Sequence, residues 1–70
     1  MKNHLEYKGY TGSVEYSGDD ELLYGQVLGI RSMISYEGLS VAEIKADFET
    51  AVDDYLLFCH EESVEPERPV

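Results

Sequence analysis

From Val41 to Glu62 the chain carries no glycine or proline, and its apolar residues recur at helical spacing. Val41, Ile44, Phe48, Ala51, Val52, Tyr55 and Cys59 fall on one stripe, with Leu56 and Phe58 at its margins. Ser40, with Glu43 three residues later, forms a capping box in which the hydroxyl takes the amide of Glu43 and the carboxylate returns to the amide of Ser40. The pattern predicts a helix of about 33 Å at 1.5 Å per residue. A helix with one apolar stripe must bury that stripe against something, and the residues before Ser40 are the material available.

Those residues read as β structure. Tyr10, Gly12, Val14 and Tyr16 face one way while Thr11, Ser13 and Glu15 face the other, the period of two expected of a half-buried strand. Leu5 and Tyr7 have the opposite parity, and a bulge or bend near Gly9 would reconcile the two phases. Ser17-Gly18-Asp19-Asp20 supplies turn chemistry. The run Leu22-Leu23-Tyr24-Gly25-Gln26-Val27-Leu28 then completes an antiparallel hairpin. Gly29-Ile30-Arg31-Ser32 makes a second turn, and Met33 to Glu37 a short third strand. After the helix, Pro66 and Pro69 forbid further helix, so residues 63–70 are expected as an extended tail behind a domain spanning 1–62.

The expected fold is therefore α+β, a three-stranded antiparallel sheet with one long helix packed on one face, in the order β-β-β-α. One helix covers one face of such a sheet. Five of the six tyrosines precede the helix, and a tyrosine suits a surface that meets a partner, having a large apolar body with a hydroxyl at its edge. Tyr10, Tyr16, Tyr24 and Tyr36 are thus candidates for an uncovered, partner-binding sheet face. On the helix, Leu57 projects away from the core stripe, on the side of the acids Glu43 and Glu61. With Asp54, these residues form a second candidate contact surface. An uncovered face and open strand edges predict a homo-oligomer, a dimer or larger.

Composition narrows the partners. Fifteen acids against five bases give a formal net charge of −10, which repels nucleic-acid backbones and anionic membranes and favours a basic partner. With 43 % apolar residues the chain has enough to build a core, so this acidity is not the disordered kind. Cys59 is the single cysteine, so no intrachain disulfide forms. The N-terminus, Met1-Lys2-Asn3-His4, leads into alternating polar and apolar residues rather than an apolar signal segment. No apolar run approaches the roughly 20 residues that span a bilayer. A cytoplasmic protein is expected.

The residues that carry chemistry elsewhere do not assemble a site here. Asp53 and Asp54 are helix neighbours pointing about 100° apart and cannot converge on one ion, and Asp19-Asp20-Glu21 lacks the spacing of a calcium loop. These acids read as solvated. His4 and His60 have no ligand-spaced partners, and Cys59 reads as a buried structural thiol rather than a nucleophile beside His60. No catalytic residues, metal or cofactor are expected, and the chain reads as a binding module rather than an enzyme.

Several segments together resemble one family. Tyr7-Lys8-Gly9-Tyr10-Thr11-Gly12-Ser13-Val14-Glu15-Tyr16 looks like the opening strand of HicB-family antitoxins, and Leu23-Tyr24-Gly25-Gln26-Val27-Leu28-Gly29-Ile30 like their second. Ile34-Ser35-Tyr36-Glu37-Gly38 followed by Ser40 resembles the third strand and helix cap. Phe48-Glu49-Thr50-Ala51-Val52-Asp53-Asp54-Tyr55-Leu56 resembles the family's helix, and Glu65-Pro66-Glu67-Arg68-Pro69 its continuation. The resemblance implies a partial RNase H-like fold without nuclease activity. It also implies a toxin–antitoxin role, in which the domain neutralises a small basic ribonuclease toxin of the HicA type by covering it. Family antitoxins commonly self-associate and usually continue into a ribbon-helix-helix or helix-turn-helix segment. The resemblance here ends before such a segment, so direct nucleic-acid binding is not expected. The alternative reading is an orphan, self-associating HicB-like protein with a different partner or none.

Overall fold

The structure, a computed structural model, describes residues 4–69. The N-terminal reading of Met1-Lys2-Asn3 and the last residue of the expected tail, Val70, lie outside the described residues. Five strands precede one helix: β1 (His4–Tyr7), β2 (Tyr10–Ser13), β3 (Glu15–Ser17), β4 (Leu22–Gln26), β5 (Ser35–Gly38) and α1 (Val41–Glu61). The fold is α+β. The strands β3-β4-β5 form a three-stranded antiparallel sheet, β1-β2 form a second two-stranded sheet, and the helix packs against the strands.

The first correction to the sequence reading lies at Gly9. Lys8 and Gly9 both have positive φ, 50° and 85°, as a two-residue type I′ hairpin turn requires. Leu5 and Tyr7 therefore form a strand of their own, paired opposite Gly12 and Tyr10. Residues directly opposite in an antiparallel pair share a face, so a hairpin turn rather than a bulge reconciles the two parities.

The two sheets are joined by a bridge between Gly12 and Val27. Gly12 opposite Val27 and Glu15 opposite Tyr24 are three steps apart on both strands, so one register runs through β2 and β3 and the strand is merely interrupted at Val14. The cause is visible around Ser13. Gln26 N donates to Ser13 Oγ at 3.0 Å, and the Tyr36 hydroxyl approaches both strands, donating to Ser13 O at 2.8 Å with Gln26 O at 3.2 Å. Two glycines make room for this. A Cβ on Gly12 would overlap the Tyr36 hydroxyl, and a Cβ on Gly25 would overlap Ser13 O. Burial pushes the Tyr36 phenol up to about 12, so it stays a neutral donor to the two carbonyls.

The helix starts against β5, where a Cβ on Gly38 would overlap the Ile44 amide. It then crosses diagonally. Phe48 meets Tyr36 edge-on at 5.1 Å between ring centroids. Farther along, Asp53 reaches Tyr7 and Lys8 on the β1–β2 hairpin, and Tyr55 meets Tyr10 edge-on at 6.2 Å. The core beneath this diagonal is Tyr10, Val27, Tyr36, Ile44, Phe48 and Val52. Of the expected stripe, Ile44, Phe48, Val52 and Cys59 are buried, while Ala51 and Tyr55 are half-buried. Val41 is exposed instead, because it precedes the turn that sits on Gly38, and Phe58 at the margin is also exposed.

Both helix ends are closed by the chain itself. Ser40 Oγ accepts from Glu43 N at 3.2 Å, one half of the expected capping box. At the other end Ser63 N donates to His60 O and Val64 N to Cys59 O, the paired bonds of a Schellman motif. Its left-handed position falls on Ser63, at φ 55°. From Val64 to Pro69 the chain has no regular secondary structure, but it is not free. It folds back on the body of the protein through Glu67, whose backbone and side chain both bond to other elements.

Candidate partner-binding surface

The four candidate tyrosines separate. Tyr10 and Tyr36 are 1 % and 4 % exposed. They are core residues, which corrects the expectation that they offer a contact surface. Tyr16 and Tyr24 are exposed, at 64 % and 41 %, but on opposite faces. Tyr16 stands opposite Leu23, which is opposite Gly38, on the helix side of the sheet. Tyr24 stands in the row Glu15–Tyr24–Glu37 on the far side. The uncovered face also carries Glu6, Thr11, Ser13, Gln26 and Ser35, so it is largely polar. The expected tyrosine-bearing face does not form. The reason is register: Tyr36 stands opposite Gly25 on the helix side of the sheet, and its hydroxyl occupies the space that a Cβ on Gly12 would fill.

The helix candidates are brought together. Glu43, Asp54, Leu57 and Glu61 are all exposed. At 100° per residue, Glu43 and Glu61 coincide, Asp54 lies within about 20° of them, and Leu57 within about 40°. The stripe runs about 27 Å along α1 at 1.5 Å per residue. Sequence reasoning missed one member of this stripe. Asp47, also within about 40°, accepts from Glu37 N at 2.9 Å and so closes part of the outer edge of β5. Glu37, Glu43, Ala46, Asp47 and Thr50 line a shallow hollow between that strand and the helix.

Two other acids are held by specific donors. Asp53 is exposed, as a solvated acid should be, but it also takes Lys8 Nζ at 2.8 Å and the Tyr7 hydroxyl at 3.1 Å. The Lys8 bond lowers the Asp53 carboxyl from its ordinary value, and the same bond raises Lys8. Glu67 is the second. Its carboxylate accepts from Arg31 N at 2.7 Å, Ser32 N at 3.1 Å and Ser32 Oγ at 2.6 Å. Chiefly the Ser32 hydroxyl, then the Arg31 amide, lower its pKa. Asp54, one residue from Asp53, remains on the exposed stripe. Among the described residues no three His, Cys, Asp or Glu side chains group as a metal site needs, and no helix is long and apolar enough to cross a membrane. Cys59 is buried.

No family model, curated protein or solved structure matches this chain. The surface must therefore be read on its own chemistry.

Proposed function

We propose that the chain is a non-catalytic protein-binding module of the HicB antitoxin kind, which neutralises a small basic HicA-type ribonuclease toxin by covering it. The observation that carries this reading is the exposed stripe Glu43, Asp47, Asp54 and Glu61 with Leu57 beside it. A row of carboxylates on a rigid helix, flanked by an apolar anchor, suits a cationic protein surface: the charges steer the encounter and the leucine supplies desolvated contact. The opposite side of the same helix is locked into the core, so the backbone that carries the stripe needs no ordering on binding. The net charge of −10 supports the same partner class.

Co-expression with a HicA-type ribonuclease is the test. Growth should be rescued and the two chains should co-purify. Glu43→Lys, Asp54→Lys and Leu57→Lys should each weaken the complex while leaving the circular dichroism spectrum unchanged. Absence of both rescue and co-purification overturns the proposal.

A second reading, a self-associating module with a different partner or none, draws on one observation. Tyr16, Leu39 and Val41 are 64, 72 and 68 % exposed and cluster at one end, since Tyr16 shares a row with Gly38 across two strand spacings of about 4.8 Å. Light scattering at tens of micromolar decides this reading, and a clean monomer removes it.

A further inference from the structure

The contacts of Glu67 go beyond holding a tail in place. Every polar group of this residue is read by a different part of the protein. Its backbone N–H donates to Tyr55 Oη at 2.8 Å, and its carbonyl accepts from the Tyr10 hydroxyl at 2.6 Å. Its carboxylate is held by two successive backbone amides and a hydroxyl, those of Arg31 and Ser32. Two consecutive amides aimed at one anion form a backbone nest, and Gly29, at φ 79°, begins the turn that sets them. The receiving groups come from β2, from the turn between β4 and β5, and from α1, so the site is built by the fold and not by the tail. Two of the chain's five basic residues stand here: Arg31 in the turn, and Arg68 over the Tyr10 ring at 5.8 Å.

We infer that Tyr10, Tyr55 and the Gly29–Ser32 turn form a peptide-recognition site for an extended segment carrying a glutamate, a site that the chain's own tail occupies as a tethered ligand. Chemistry and geometry both point to this class of ligand. The two tyrosines read a peptide N–H and C=O, which a free carboxylate lacks. The nest reads a side-chain carboxylate, which an amide side chain cannot replace without setting an NH₂ against donors. Pro66, half-buried before Glu67, holds the approaching chain extended at low entropic cost. The entering hinge is Ser63, held in the left-handed region that favours glycine. A segment held by hydrogen bonds at one residue and entered through a strained hinge is displaceable without unfolding the core.

Proton NMR on the full chain tests this. In the wild type, the Arg31 and Ser32 amide resonances should titrate together, with one midpoint below the ordinary glutamate value. The charged group that acts on the carboxylate is Arg31, and the Tyr10 phenol lies near it. The variant Glu67→Gln, and the more drastic Glu67→Ala, should shift both amides upfield, abolish the titration and sharpen the resonances of residues 64–69. A peptide of sequence Ser-Val-Glu-Pro-Glu-Arg-Pro-Val added to Glu67→Ala should restore the two amide positions saturably at about millimolar concentration, the range in which a short tether holds its own segment. The same peptide with glutamine at its second glutamate, the counterpart of Glu67, should leave them unmoved, and so should acetate. The proposal is overturned if the amides ignore both substitutions, if the glutamate and glutamine peptides act alike, or if neither acts. Restoration by acetate would reduce the site to an anion nest with no peptide specificity, and would also overturn it.

Discussion

Tyr10 and Tyr16 lie on the same face of one interrupted strand, six residues and about 20 Å apart. One is 1 % exposed and the other 64 %. Nothing in their local sequence separates them, since both are tyrosines at the same parity in a β run. What separates them is the diagonal path of the helix. It begins on β5 at Gly38, passes over Tyr36 with Phe48, and reaches the β1–β2 hairpin with Asp53 and Tyr55. The tail then closes over Tyr10 through Glu67. The β3 corner, with Tyr16, is left outside that diagonal. One end of the strand is therefore closed over and the other is left exposed.

The sharpest test of this difference is to remove the ring at the centre of the diagonal. Phe48 is fully buried against Tyr36, and Phe48→Ala should cost about 3–5 kcal/mol. In a domain this small each kcal/mol lowers the melting temperature by about 4–8 °C, so thermal denaturation followed by circular dichroism reads the effect directly. A loss under about 0.5 kcal/mol, the size of an ordinary surface change, would show that the helix is not seated as described. Next in size is Tyr36→Phe. It keeps the ring on Phe48 but removes the hydroxyl shared by Ser13 O and Gln26 O. The expected cost is about 1–3 kcal/mol, the penalty for leaving buried polar groups unsatisfied. The affected region should be the β2–β4 junction, detectable as faster amide exchange at Gly12 and Val27.

These two sites also mark where sequence reasoning succeeded and where it stopped. The helix was legible almost to the residue because its signals are local: a capping serine, a 3.6-residue stripe and no breaker before Glu62. The β3–β4 and β4–β5 pairings were legible from alternation and turn residues. The Lys8-Gly9 turn was missed because lysine is not among the usual residues at the first position of a type I′ turn, so the glycine read as a bulge. The inward position of Tyr36 was missed because it depends on its register opposite Gly25 and on the space left at Gly12, which is distant in sequence and meets the ring only once the strands pair. The role of Glu67 was missed for a similar reason. Its partners lie 12 to 57 residues away, and a Pro-Glu-Arg-Pro segment carries no local sign of docking. On the helix, Glu43, Asp54, Leu57 and Glu61 were legible as one surface, since a helix fixes their angular positions without any tertiary information.

The Lys8–Asp53 clamp lies where the diagonal meets the hairpin, and pH should act on it from both sides. The Asp53 pKa is depressed below its ordinary 3.8, so its contribution is complete above that value and is lost as pH falls through the lower folded value. The Lys8 pKa is raised above its ordinary 10.5, so its contribution is complete below that value and is lost as pH rises through the higher folded value. Urea denaturation of the wild type and Asp53→Asn should show a modest difference at neutral pH that shrinks below pH 3 and again in strong alkali. A difference that persists at acid pH would mean that the asparagine disturbs packing rather than the ion pair. Both groups are solvent-exposed, so added salt should also reduce the difference.

The smallest expected effect falls at the other end of the strand, and it carries the most functional information. Tyr16→Thr keeps β propensity and removes only a ring that the isolated chain leaves in water. Stability should change by no more than about 0.5 kcal/mol, measured by the same urea titration. Partner contact at this corner would separate from stability in the concentration series. If the wild-type melting temperature rises with protein concentration, as mass action requires of a self-associating chain, Tyr16→Thr should flatten that rise without lowering the dilute-limit value. If the wild type shows no such rise, and Tyr16→Thr leaves the complex with a HicA-type ribonuclease unchanged, the β3 corner serves neither contact. The acidic helix stripe then stands as the remaining candidate surface. A substantial loss of stability at the dilute limit would instead place Tyr16 in the core and remove the contrast with Tyr10.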